Sequence, residues 1–173
     1  NACGKLSALH KACNIGDVIT VKLLLAHPDI DINLQSVAFV HDVSNPLEYD
    51  GLTALERAVR YHHTEIVNLL LSDDRIDIDK KSRWRGNAPL HICGIYGNSA
   101  AVPLLLQKQA NSNNQSHDEY RIRNNLELTG GRETPLHCAV KFNHKNVVSA
   151  LLQDANVNKE LENWENKKPV DLT

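Results

Sequence analysis

The chain has 173 residues, 42% of them hydrophobic and 23% charged, and a formal net charge of −2, the balance of a folded globular protein and not of a disordered tail. Its 19 Lys and Arg are interspersed with 21 Asp and Glu and form no block of like charge, so neither a nucleic-acid groove nor an anionic membrane surface is indicated. No apolar run approaches the roughly 20 residues that cross a bilayer, and the start lacks the basic and apolar regions of a secretory signal.

Taken in chain order, the first element opens at Ser7-Ala8-Leu9-His10, where the Ser7 hydroxyl stands in place to cap a helix, and closes at Gly16. A second apolar stretch, Val21-Lys22-Leu23-Leu24-Leu25, follows. The pattern returns as Thr53-Ala54-Leu55-Glu56, a stop at His62, and Val67-Asn68-Leu69-Leu70-Leu71. It returns again as Ala88-Pro89-Leu90-His91, Gly97 and Val102-Pro103-Leu104-Leu105-Leu106, then as Thr134-Pro135-Leu136-His137, Asn143 and Val148-Ser149-Ala150-Leu151-Leu152. A fifth copy, Lys168-Pro169-Val170-Asp171, is cut short. Gly, Asn and less often His tolerate the left-handed backbone that ends a helix. Pro89 and Pro135 sit where a missing N–H costs nothing. Pro103 falls inside a second helix, which should therefore kink or start late.

Each pair of helices carries an apolar stripe that it cannot bury alone, so the pairs must stack on one another. The four motifs resemble the ankyrin repeat, whose T-P-L-H-x-A opening and 33-residue period are a specific signature. The resemblance covers almost the whole chain and implies an all-α solenoid of helix-turn-helix pairs with projecting β-turn or hairpin fingers. It also implies that His10, His91 and His137 tie each helix start to its turn. Ala88 has no capping hydroxyl and Glu56 replaces the motif His.

The motif residues Leu9, Leu55, Leu90, Leu136 and Val170 stand 46, 35, 46 and 34 residues apart, so the period alternates between long and short. Helices cannot absorb a dozen extra residues without losing register, which places the excess in connections at about 34–50 and 114–131. The expected organisation is a single domain over 1–173, with repeats at about 3–35, 49–81, 84–113 and 130–158, and a partial one at 164–173. A solenoid ends in a polar capping repeat, so further chain is expected beyond Thr173. In the second insert, Tyr120 to Thr129 alternates in polarity around an Asn pair. It reads either as a short hairpin pairing Ile122 with Leu128 and Arg123 with Glu127, or as an irregular surface loop.

The aromatic residues fall into two rows. Ile15, Tyr61, Tyr96 and Phe142 each precede the turn that ends a first helix, a position that the resemblance assigns to the concave groove. Tyr49, Trp84 and Trp164 each stand four residues before the motif's first position, which corresponds to a finger tip. Phe39 and Tyr120 lie in the inserts, so the inner layer should be aliphatic. Aromatic rings anchor protein interfaces because they bury much area at small entropic cost. The bland alternative is that these rings pack on each other and stiffen the stack. Arg57 and Arg60, with Arg83 and Arg85 beside Trp84, add positive charge that an acidic patch on a partner fits, or that water alone solvates.

Catalytic readings fare worse. Cys3, Cys13, Cys93 and Cys138 form no CxxC pair and sit in apolar patterns as small hydrophobes, which suits a reducing, cytoplasmic compartment. His137 and Cys138 are adjacent, and adjacent residues on a helix point in different directions. His62-His63 has no further ligand at metal spacing, and no phosphate-binding loop or nucleophile-elbow motif occurs. The expected function is therefore capture of a partner protein by a monomeric, non-catalytic module that needs no cofactor or metal, through groove and fingers. Two alternatives remain: a targeting arm of a larger enzyme or of an effector that a bacterium delivers into a host cell, and an architectural scaffold.

Overall fold

The computed structural model describes residues 6–36, 51–83, 85–117 and 131–172. These contain helices α1 (Ala8–Ile15), α2 (Val18–Leu25), α3 (Ala54–Arg60), α4 (Thr64–Leu71), α5 (Pro89–Tyr96), α6 (Ala101–Gln107), α7 (Pro135–Lys141) and α8 (Lys145–Leu151), then a 3-10 turn over Pro169–Leu172. No strand occurs among the described residues. The solenoid is all-α.

The helix starts follow from local chemistry. The side-chain oxygens of Ser7, Thr53 and Thr134 accept from the backbone N–H three residues on, at 3.3 Å in each case. The third residue returns the contact: the Ser7 and Thr134 amides donate to Nδ1 of His10 and His137, and the Thr53 amide to the Glu56 carboxylate at 2.7 Å. Such caps are each worth about 1 kcal/mol. Ala88 keeps half of the arrangement, its amide donating to His91 Nδ1 at 3.0 Å. The first helix of each pair ends where the backbone turns left-handed, at Gly16, His62, Gly97 and Asn143, with φ of 79°, 60°, 77° and 57°.

Pro103 delays its helix and does not break it. Helix α6 begins only at Ala101, so Pro103 lies in the first turn, where a backbone N–H has no partner within the helix. The Asn98 side chain takes the Ala101 amide at 3.1 Å.

First helices stack as one layer, α1 on α3 on α5 on α7, and second helices as another, α2 on α4 on α6 on α8. Between them lies an aliphatic core that includes Leu9, Leu55, Leu90 and Leu136 from the first layer and Val21, Val67, Val102 and Val147 from the second, with no buried aromatic side chain among the described residues. Burying each such leucine contributes about 1.5–3 kcal/mol.

Polar ties lock successive repeats. Because Nδ1 of each motif histidine accepts a backbone N–H, Nε2 carries the proton and donates: His10 to Leu34 O, His91 to Glu133 O and His137 to Lys167 O, at 2.8–2.9 Å. A second set runs backward along the stack, with His63 Nε2 on Asn14 O, Asn98 Nδ2 on Val59 O, and His144 Nε2 on Ile95 O. A third set differs between interfaces. Asn33 brackets the second repeat through Arg75 O and the Asp77 amide, just as Asn113 brackets the fourth through Asn156 O and the Asn158 amide. Between the second and third repeats Asp79 takes that place, accepting from the Asn111 amide and from Asn114 Nδ2. The inserts leave and return at matching places, with the Ser36 amide on Leu52 O and the Ser116 amide on Glu133 O. The hairpin expected within 120–129 lies outside the described residues.

Candidate protein-binding face

Ile15 is the last residue of α1 and Tyr96 the last of α5, while Tyr61 and Phe142 immediately follow α3 and α7. The left-handed residue after each one turns the chain away, and the stacking of the first helices brings the four ends into one row. Ile15 is 76% exposed and Phe142 47%, with Tyr61 and Tyr96 half-buried between them. The centre of the row is stiffened by a cation: Arg60 Cζ lies 5.4 Å from the Tyr61 ring centroid and 5.0 Å from that of Tyr96. Tyr61 also stacks on His63 at 6.4 Å. One guanidinium therefore contacts aromatic rings of two repeats, an arrangement worth about 0.5–1 kcal/mol at an exposed site.

Charge is unevenly divided. The four first helices carry Lys11, Arg57, Arg60 and Lys141, and their single acid, Glu56, is fully buried. The second helices and the segments flanking them carry both signs, with Asp17, Asp29, Asp31, Glu65, Asp73, Asp74, Asp77, Asp79 and Asp154 beside Lys22, Arg75, Lys80, Lys81, Lys108 and Lys145. Hydrogen bonds from Thr20, Arg75 and Ser112 hold the carboxyls of Asp17, Asp73 and Asp154, respectively, below the ordinary carboxylate range.

Arg57 corrects the sequence expectation. Its side chain is 2% exposed, with Nη1 donating to Asn14 Oδ1 at 3.2 Å and Nη2 to Ser36 Oγ at 3.0 Å. It is drawn inward by partners from the preceding repeat, Asn14 and Ser36, and it braces the foot of the first insert. Arg60 and Arg85 are half-buried and Arg83 is exposed. Trp164 is 64% exposed, its amide donating to Gly131 O. Phe39, Tyr49, Trp84 and Tyr120 lie outside the described residues. Sequence reasoning passed over Lys141, which precedes Phe142 as Arg60 precedes Tyr61 and pairs with Glu133 at 2.8 Å. It also passed over Ile19 and Leu23, 73% and 70% exposed on α2. Only the all-apolar face of Val18–Leu25 signalled them.

A family model described as ankyrin repeats in three copies matches residues 1–82 and 75–163. The chain belongs to the ankyrin-repeat family. It is 29% identical over 158 residues to the ankyrin repeat protein FPV031 of Fowlpox virus (strain NVSL), covering 89% of this chain and 39% of the viral one. Rabankyrin-5 of Homo sapiens is 30% identical over 95 residues, 51% of this chain and 8% of that protein. Tyrosine-protein kinase HTK16 of Hydra vulgaris is 27% identical over 144 residues, 83% of this chain and 16% of the kinase. The chain thus spans well under half the length of these relatives.

The ankyrin fold is a non-catalytic interaction module, and the thiols here are built accordingly. Burial pushes the Cys13 thiol up to about 12 and holds those of Cys93 and Cys138 well above the usual thiol range, so all three stay protonated. His137 cannot activate Cys138, since both ring nitrogens are engaged with Thr134 and Lys167. Among the described residues no group of three or more His, Cys, Asp or Glu could hold a metal ion, and no helix is long and apolar enough to cross a membrane.

Proposed function

We propose that this ankyrin array captures another protein, acting as a monomer in the cytoplasm and using the row Ile15, Tyr61, Tyr96 and Phe142, with Trp164, Arg60, Arg83 and Arg85 alongside. The observation that carries this reading is the row itself: large apolar side chains of four successive repeats stand at least partly open to water along one edge, while the core is closed by aliphatic residues. Rigid rings on stacked helices supply contact area with little entropy left to lose. An acidic patch on the partner fits the basic excess of the first helices.

Affinity capture from a cell lysate tests this. The triple variant Tyr61→Ala/Tyr96→Ala/Phe142→Ala should lose captured partners while helicity and melting stay close to those of the parent. A collapse of melting would make the row structural, and assembly that grows with concentration in light scattering, with no captured partner, would make the array a scaffold. The short share of HTK16 that the chain matches supports a second reading, a targeting arm within a larger enzyme. Sequencing of the full-length transcript tests it: a catalytic domain encoded together with this array would support the reading, and an array encoded alone would count against it.

A further inference from the structure

Of the large apolar side chains among the described residues, the three most open to water all belong to the first repeat: Ile15 at 76%, Ile19 at 73% and Leu23 at 70%. Leu23 lies on the face that each later repeat packs on the one before it, where Leu69, Leu104 and Ala150 are half-buried. Ile19, one turn earlier, matches Glu65, which reaches back to Lys22 at 3.4 Å. On α1 the same face carries Ala8 and Lys11, both exposed, where the later repeats bury Ala54, Pro89 and Pro135, and Arg57, Ile92 and Cys138. The face lacks the groups that tie one repeat to the next. His63, Asn98 and His144 donate to carbonyls of the preceding repeat, but the matching residue here is Asp17. Its carboxylate accepts from the Thr20 amide at 3.0 Å and hydroxyl at 2.6 Å, and has no proton to give. Thr20 is half-buried where Ile66, Ala101 and Val147 are fully buried.

We propose that this end face seats a single amphipathic helix of a partner protein, with its apolar stripe on Ile15, Ile19 and Leu23 and an Asp or Glu at the edge of the stripe meeting Lys11. Three features support this chemistry. Ile19 and Leu23 stand four residues apart on α2, and Ala8, Lys11 and Ile15 share one side of α1, so both helices offer ridges of the kind against which a further helix packs. The face also continues an interface already present in the array, in which α3 packs on α1 and α4 on α2, so what fits it is helical. Polar Lys11 and Thr20, with Asp17 turned to its own helix, narrow the apolar part to the width of one helix rather than a pair. The charge is of one sign: Lys11 is exposed on the face, while Lys22 is turned to Glu65 of the second repeat. A carboxylate on the incoming helix complements it. The seat shares only Ile15 with the row, so either can fail without the other.

A phage-displayed library of peptides of roughly 20 residues, long enough to form a helix on binding, panned against the full chain tests the proposal. Bound clones are re-measured as synthetic peptides against Ile19→Ser/Leu23→Ser, Lys11→Glu and Phe142→Ala. The expected result is enrichment of apolar residues at helical spacing with Asp or Glu beside them, and a gain of helicity by circular dichroism when peptide and array are mixed. Such peptides should lose about tenfold or more in affinity with Ile19→Ser/Leu23→Ser and about threefold or more with Lys11→Glu, and should ignore Phe142→Ala. Peptides that need Phe142 but not Ile19 and Leu23 would overturn the seat and leave the row standing. Peptides that need the apolar pair yet ignore Lys11→Glu would overturn the acidic partner. Self-association of the array in sedimentation, abolished by Ile19→Ser/Leu23→Ser, would give the face to a second copy and overturn the partner helix. So would peptides that bind the array but not the full-length protein, whose own chain would then cover the face. Both serines replace exposed side chains, and melting recorded alongside separates lost recognition from lost fold.

Discussion

The imidazole of His63 occupies the space that any side chain on Gly16 would need: a Cβ there would stand 2.7 Å from His63 Cε1. The same relation recurs between Gly97 and His144, where a Cβ would lie 2.7 Å from Nδ1. Each ring reaches through this gap to a carbonyl of the preceding repeat, Asn14 O or Ile95 O.

Gly97→Ala should therefore destabilise the array through two separable causes. The left-handed backbone at φ 77° costs a non-glycine residue about 1–2 kcal/mol, and the clash with His144 adds to that. In urea titrations Gly97→Ala should unfold earlier than the parent. Adding His144→Ala should cost less on the Gly97→Ala background than on the parent, because there it also relieves the clash that Gly97→Ala creates. Strictly additive losses would show that the ring gives way freely.

Acid should loosen the stack through the motif histidines. Burial lowers His10 and His91 from 6.5 to about 4 in the folded chain. Their rings bind the additional proton more readily when unfolded, so their stabilising contribution is complete above pH 6.5 and is lost as the pH falls from about 6.5 to about 4. The urea midpoint should fall across that window. His91→Gln, already less stable at neutral pH, should show a shallower fall; an unchanged slope would move the effect to other groups.

Arg57→Ala should cost about 1.5–3 kcal/mol, the usual value of hydrogen bonds made by a charged group, because it strands Asn14 and Ser36. Partner capture per folded molecule should stay at the parent level. Thermal melting and capture measured on the same preparations check both halves, and lost capture with intact melting would return Arg57 to the binding face.

Pro103→Ala should change stability by no more than about 0.5 kcal/mol, the range of ordinary surface substitutions. Pro103 is exposed in the first turn of α6 and displaces no helical hydrogen bond there. A gain approaching the ~3 kcal/mol of an interior helical proline would show a true kink.

Much of this architecture was legible in the chain because its determinants are local. A hydroxyl three residues before a histidine or glutamate, a proline at the first helical position, and Gly, His or Asn at the stop each act within one turn of helix. Repetition then amplified the signal, and the placement of Ile15, Tyr61, Tyr96 and Phe142 at the ends of the first helices was legible for the same reason. Arg57 and Arg60 show the limit: they stand three residues apart on one helix with the same charge, and only the neighbouring repeat separates them. It supplies Asn14 and Ser36 to one and the Tyr96 ring to the other.

Sequence by itself determined the repeat family, the helix starts and stops, the alternating period and the aliphatic make-up of the described core, since each of these is set by neighbours along the chain. Tertiary structure alone decided which arginine faces inward, that Asn33 and Asn113 each bracket the following repeat, and that Arg60 joins two tyrosines of different repeats. Those outcomes depend on groups roughly 20 to 45 residues apart in the chain meeting across a stacking interface, and a contact of that range leaves no periodic mark in the sequence that makes it.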